Sequence, residues 1–186
     1  MDSTITLEAV INARLPGPQR GDRYEDPLAY WLEGRFPGSR VTAGGTLRSP
    51  EGEPLSCAVR ADVVGEAPEV LDAATAFLDG LGAPRGSQLT VGDLPPLEIG
   101  TNQGVAVYLD GHGLPPEVYA EHDINEFLDA LHHAVSGHGV LQAFWEGPQE
   151  TAVYAYGPSA QAITDAIAPL LAEHPLAHGA RVERIA

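Results

Sequence analysis

The chain has 186 residues, 44% of them hydrophobic, with 26 acidic residues against 10 basic ones and a formal net charge of −16. That hydrophobic share excludes a disordered chain, and the length suits one ordinary domain or two small ones. The acidic balance argues against direct nucleic-acid binding, because phosphate backbones would be repelled, and it would steer a basic protein partner toward the chain.

Thr4 to Leu15 alternates, with Ile5, Leu7, Ala9 and Ile11 on one face, as in a strand with one buried side. The segment MDSTITLEAVINARL has neither a basic n-region nor an apolar h-region, so it does not read as a signal peptide. No run approaches the ~18 apolar residues of a membrane span. One cysteine, Cys57, allows no intrachain disulfide and no cysteine-based metal cluster. These features predict a cytoplasmic protein without membrane contact.

A Pro- and Gly-rich loop follows the first strand. Asp26 and Pro27 then form an N-cap and first-position pair that predicts a helix with Leu28, Trp31 and Leu32 as its stripe. Residues 40–47 (RVTAGGTL) and 55–64 read as strands around the turn SPEGE. On the second of these, Leu55, Cys57, Val59, Ala61 and Val63 share a face. A helix from about Pro68 carries Val70, Leu71, Ala74, Phe77, Leu78 and Leu81 on one side. A short strand, 88–91, closes the first half. The order is βαββαβ, that of a ferredoxin-like module.

Residues 92–104 (GDLPPLEIGTNQG) show turn residues and little periodicity, which predicts a linker at 93–102. The pattern then recurs. GVAVYLD, 104–110, is a strand. Asp123 caps a helix with Ile124, Phe127, Leu128, Leu131 and Val135 at helical spacing. Residues 140–146 and 150–156 form a hairpin across Gly147 and Pro148. Ser159 caps a helix with Ile163, Ile167 and Leu170 or Leu171, in which Pro169 should make a kink or a break. Residues 180–185 are the last strand. The predicted fold is therefore α+β: two tandem ferredoxin-like βαββαβ modules, 1–92 and 103–186, forming an intrachain pseudo-dimer. Each half alone would leave one sheet face bare.

The hairpin concentrates rings. With Glu146 opposite Gln149, residues Leu141, Ala143, Trp145, Glu150, Ala152, Tyr154 and Tyr156 fall on one face. Val140, Phe144 and Val153 fall on the other and suit contact with helices. Tyr108 joins the ring face if Val105, Val107 and Leu109 face the helices. Rings with polar tips suit a wet boundary. The ring face is then either covered by the rest of the chain or a second subunit, or open to a ligand or partner. Tyr108, Trp145, Glu150, Tyr154 and Tyr156 are the candidate binding residues. The equivalent face of the first half, with Glu8, Asn12, Arg60 and Asp62, reads as a solvated surface or as a small acid/base pocket.

Motifs that carry chemistry are missing. His132 and His133 are neighbours on a helix and point apart. No H-x-x-x-H or H-E-x-x-H pair occurs, no G-K-[ST] follows the GGT at 44–46, and there is no GxGxxG or G-x-S-x-G. Cys57 lies on an inferred buried face, a poor place for a nucleophile. Glu146 and Glu150 flank a hairpin turn, where charged ends are common. The expectation is no catalytic residue, no metal ligand and no cofactor.

The second half, YLDGHGLPPEVYAEHDINEFLDAL followed by FWEGPQETAVYAYGPSAQ and HPLAHGARVERIA, resembles a conserved, uncharacterised group of bacterial proteins. GSRVTAGGTLRSPEGE and GAPRGS in the first half look like a partner module of that group. Small acidic ferredoxin-like proteins of this kind include some that look like immunity proteins of toxin systems. The resemblance implies a non-enzymatic binding protein that engages a protein partner, and assigns no catalytic residue. The alternative is a small-molecule binding protein or enzyme with a pocket between the modules lined by aromatic residues. Self-association as a homodimer fits either reading.

Overall fold

The computed structural model describes residues 4–186. The fold is α+β, with two antiparallel sheets in two compact units. One unit holds the chain through Ser49 together with Pro54–Thr101. The other joins Pro50–Glu53 to Asn102–Ala186.

The first unit contains β1 (Thr4–Ile11), α1 (Gly17–Arg20), a π turn (Gly21–Glu25), α2 (Asp26–Arg35), β2 (Arg40–Arg48), β3 (Pro54–Val64), α3 (Ala67–Gly80), β4 (Ser87–Val91) and β5 (Leu97–Ile99). Its strand order is β2-β3-β1-β4-β5. Leu7, Ala9 and Ile11 of β1 are buried, as are Cys57, Val59, Ala61 and Val63 of β3 and Val70, Ala74 and Leu78 of α3. Each set follows its expected period, two on the strands and three to four on the helix. Leu55, at the start of the β3 series, is instead 37% exposed.

The structure differs from the sequence pattern at two places in this unit. The helix expected to start at Asp26 starts at Gly17, and Asp26 has helical dihedrals, so it is not a cap. Tyr24, Leu28 and Leu32, all fully buried, continue one stripe at i, i+4 spacing back through the loop. The wider π turn just before Pro27 gives its ring room against the carbonyl four residues earlier. The stretch read as a linker carries β5, in which Ser87 pairs with Ile99 and Leu89 with Leu97. Pro95 and Pro96 just before it, and its length of three residues, hid it.

The second unit contains β6 (Gln103–Asp110), α4 (Pro116–Glu121), α5 (Ile124–Val135), β7 (Val140–Glu146), β8 (Glu150–Gly157), α6 (Ala160–Glu173), a 3-10 turn (Pro175–Ala177) and β9 (Arg181–Arg184). The strand order is β7-β8-β6-β9. In both units the βαββ part places the third strand between the first and second, the arrangement a split βαβ demands. The Asp123 carboxylate accepts from Asn125 N at 2.8 Å and the Ser159 hydroxyl from Ala162 N at 3.2 Å, so both predicted caps start their helices. Val105, Val107 and Leu109 of β6, Val153 and Ala155 of β8, Phe127, Leu131 and Val135 of α5, and Ile163 and Ile167 of α6 form one core. Pro169 neither breaks nor ends α6. Ile163 and Ile167 before it and Leu170 and Leu171 after it all pack on that core, which offsets the lost hydrogen bond.

The end of α6 is held by a histidine. The His174 Nδ1 accepts from Leu176 N at 3.2 Å, and the ring packs 4.8 Å from Phe127 and 5.4 Å from His122. Burial, and then the neighbouring His122, lower the His174 pKa, while Glu126 opposes them. A group with a depressed folded pKa binds its proton more readily when the chain unfolds. The contribution is therefore complete above the ordinary histidine pKa, about 6.5, and is lost as pH falls through the folded value. Thermal midpoints should drop between pH 7.5 and 5.5. His174→Asn, which keeps an acceptor at this position, should flatten that drop. An equal drop in both proteins would assign it to other groups.

Candidate functional site

The β7–β8 hairpin decides where the rings point. Glu146 pairs with Thr151, Trp145 with Ala152, Phe144 with Val153 and Ala143 with Tyr154. The expected pairing of Glu146 with Gln149 is thus off by two residues. Side chains repeat every two, so Trp145 stays on the face of Tyr154 and Tyr156. Leu141 does not. The register shifts between Leu141 and Ala143, and Leu141 turns to the helix-side core.

The ring face is buried at its centre. Tyr154 and Tyr156 are 0% and 1% exposed, and Tyr108 is 4% exposed. Tyr156 lies over Gly104, its cross-strand partner, where an added Cβ would come within 2.6 Å of the ring. Tyr108 and Tyr154 donate their hydroxyl protons to one oxygen of Glu53, at 2.8 and 2.9 Å. Glu53 lies in Pro50–Glu53, the short segment that belongs with this unit. One carboxylate therefore satisfies two buried phenols.

At the edge of the ring face the surface opens into a groove of about 1070 Å³. Tyr108, Leu109 and Asp110 of β6, Trp145, Pro148, Gln149 and Glu150 of the hairpin, Arg181 of β9, and Glu51 line it, with His112 and Gly113 at the rim. Asp110 faces Glu150, and Tyr108 faces both Ala152 and Arg181 across the sheet. The Arg181 guanidinium stacks 4.1 Å from the Tyr108 ring centroid. It also bonds both oxygens of Glu150 at 3.2 Å and pairs with Glu183. Asp110 accepts from the backbone N–H groups of Gly113 and His112, which hold its carboxyl below the usual range. Trp145 is half-buried, with its indole folded over Gly147, where any Cβ would collide with the ring.

Of the five candidate residues, Tyr108, Trp145 and Glu150 line the groove, while Tyr154 and Tyr156 lie beneath the surface. Arg181, Asp110, Glu51 and Glu53 were missed. Glu53 is 55 and 101 residues from Tyr108 and Tyr154 in sequence, and Glu51 lies in the same turn, which carries no motif. Arg181 reaches Tyr108 only through the β6–β9 register. On the first unit, Glu8 and Arg60 pair at 2.9 Å, and Arg40 and Asp62 at 3.0 Å, all on an exposed surface. Pairs of this kind contribute about 0–1 kcal/mol and form no enclosed acid/base pocket. Cys57 is buried and burial pushes its thiol up to about 12, so little thiolate is present near neutral pH. Among the described residues no group of three or more His, Cys, Asp or Glu is placed to hold a metal ion, and no helix is long and apolar enough to cross a membrane.

No family model matches the chain, and no curated protein matches it. Solved structures similar to it include an "unknown protein" from Galdieria sulphuraria, at 11% identity and a TM-score of 0.31 over 97% of this chain and 96% of that one. An anthrone oxidase-like protein aligns at 15% identity and a TM-score of 0.32, covering 98% and 90%. The regulatory subunit of aspartate kinase from Thermus thermophilus aligns at 14% identity and 0.28, covering 89% and 92%. At these values the likenesses carry no assignment of activity.

Proposed function

We propose that this chain is a non-enzymatic acidic binding protein built of tandem ferredoxin-like modules, and that it docks a basic protein partner on its second unit, as an immunity protein docks the toxin it neutralises. The observation that carries the reading is the open groove in which half-buried Trp145 stands beside the carboxylates of Glu51, Asp110 and Glu150. Trp is enriched among interface anchors, since it offers a large, rigid apolar area. The carboxylates give the matching field for lysine and arginine, on a chain of net charge −16. Glu51, Asp110 and Glu150 together bring three carboxylates to the wall that a cationic partner would meet.

Pull-downs from the native host at low and high salt test the reading. A basic protein should be captured at low salt, and its association should slow as salt rises, because screening shortens the reach of the acidic field. Trp145→Ala should abolish capture while the protein folds normally. Recovery of nucleic acid alone, or of acidic proteins insensitive to salt, would count against it. A small-molecule ligand is the second reading, favoured by the volume of the groove, which reaches the upper end of the range for ligand pockets. A tightly held metabolite released on denaturation would favour that reading instead.

A further inference from the structure

A second groove, of about 640 Å³, opens on the other side of the end of β6. It shares Leu109 and Asp110 with the first, so the two meet at one rim. Together they present seven carboxylates: Glu51, Asp110 and Glu150 in the first, and Glu121, Asp123, Glu126 and Glu146 added by the second. The single arginine in either lining, Arg181, is already tied to Glu150 and Glu183. The second groove also exposes apolar surface, with Tyr119 at 36% and Ile124 at 41%. Ile124 belongs by spacing to the stripe of α5, yet its neighbours Phe127 and Leu131 are buried while it faces the groove. Acidic walls alternating with apolar anchors on both sides of one rim fit a chain that crosses the rim, more than they fit a compact knob seated on one side.

We infer that the partner is held through an extended, lysine- and arginine-rich segment that runs from the Trp145 groove across Asp110 into the Tyr119–Ile124 groove. This rests on the reading of the first groove as a basic-partner site and adds the chemistry and length of what it takes. A compact cation would engage only one groove. An extended segment engages both, and the second engagement is intramolecular, so affinity grows steeply with length. The charged side chains of such a segment meet carboxylates in each groove, and its aliphatic stems cover Tyr119 and Ile124.

The test uses the full chain with Trp31→Phe, so that Trp145 alone reports, and two synthetic peptides of alternating lysine, arginine and alanine: a tetrapeptide and a dodecapeptide. The dodecapeptide should bind at least about 10-fold more tightly than the tetrapeptide, and both should change Trp145 emission. Glu121→Gln with Glu126→Gln should weaken the dodecapeptide about 10-fold and leave the tetrapeptide within about twofold. Glu33→Gln with Glu66→Gln removes the same charge from exposed positions of the first unit and should change neither. If the second-groove pair leaves the dodecapeptide unaffected, or if the first-unit pair weakens it equally, the extended site is wrong while the basic-partner reading stands. If neither peptide binds or alters Trp145 emission, the basic-partner reading itself falls.

Discussion

Phe127→Ala should lower the stability of the second unit by about 3–5 kcal/mol, the usual range for deleting a buried aromatic ring from a core. Phe127 is 0% exposed and lies in the cluster formed by Val105, Val107, Leu131, Ile163 and Ile167. Its ring also bears on His174 at 4.8 Å, so its loss would loosen the turn that follows α6. Urea unfolding followed by circular dichroism gives the measurement. A loss below about 1 kcal/mol would mean that Phe127 does not occupy the core, and would reject the register of α5.

Glu53→Ala should cost about 2–6 kcal/mol. The hydroxyls of Tyr108 and Tyr154 both donate to Glu53, and both rings are buried. Leaving a buried donor without its acceptor costs about 1–3 kcal/mol for each group. Glu53→Gln keeps an acceptor oxygen and should recover most of the loss. The comparison separates the hydrogen bonds from the packing of the side-chain stem. If Ala and Gln destabilise equally, the carboxylate charge rather than the two phenols is what matters. If neither moves the midpoint by more than about 0.5 kcal/mol, other acceptors satisfy the two hydroxyls.

Helices and strands were legible where one period dominates. The α5 stripe, with Phe127, Leu131 and Val135 buried, follows from 3.6-residue spacing and an Asp cap. The alternation in β1 and β3 needed only that one sheet face be dry and the other wet. Where punctuation competed with packing, local signals misled. Asp26–Pro27 looks like a helix start in isolation, but Tyr24 buries with Leu28 and Leu32 and draws the helix back to Gly17. Two prolines concealed β5, because a three-residue edge strand has too few residues to show a period.

The sequence by itself determined which residues share a face. Trp145, Tyr154 and Tyr156 lie together although the expected register was two residues off, because the side-chain period of a strand is two and an even slip changes nothing. It did not determine Leu141, since the odd-numbered irregularity at Gln142 turns the face over. Nor did it determine the groove. That site joins Glu51, Asp110, Trp145, Glu150 and Arg181 from four separate stretches of chain. Periodicity is a local property, so it reports burial along one element. Which elements meet is decided only when strands pair, and the pairing of β6 with β9 and the placement of Pro50–Glu53 beside the ring face leave no trace in any short window of sequence.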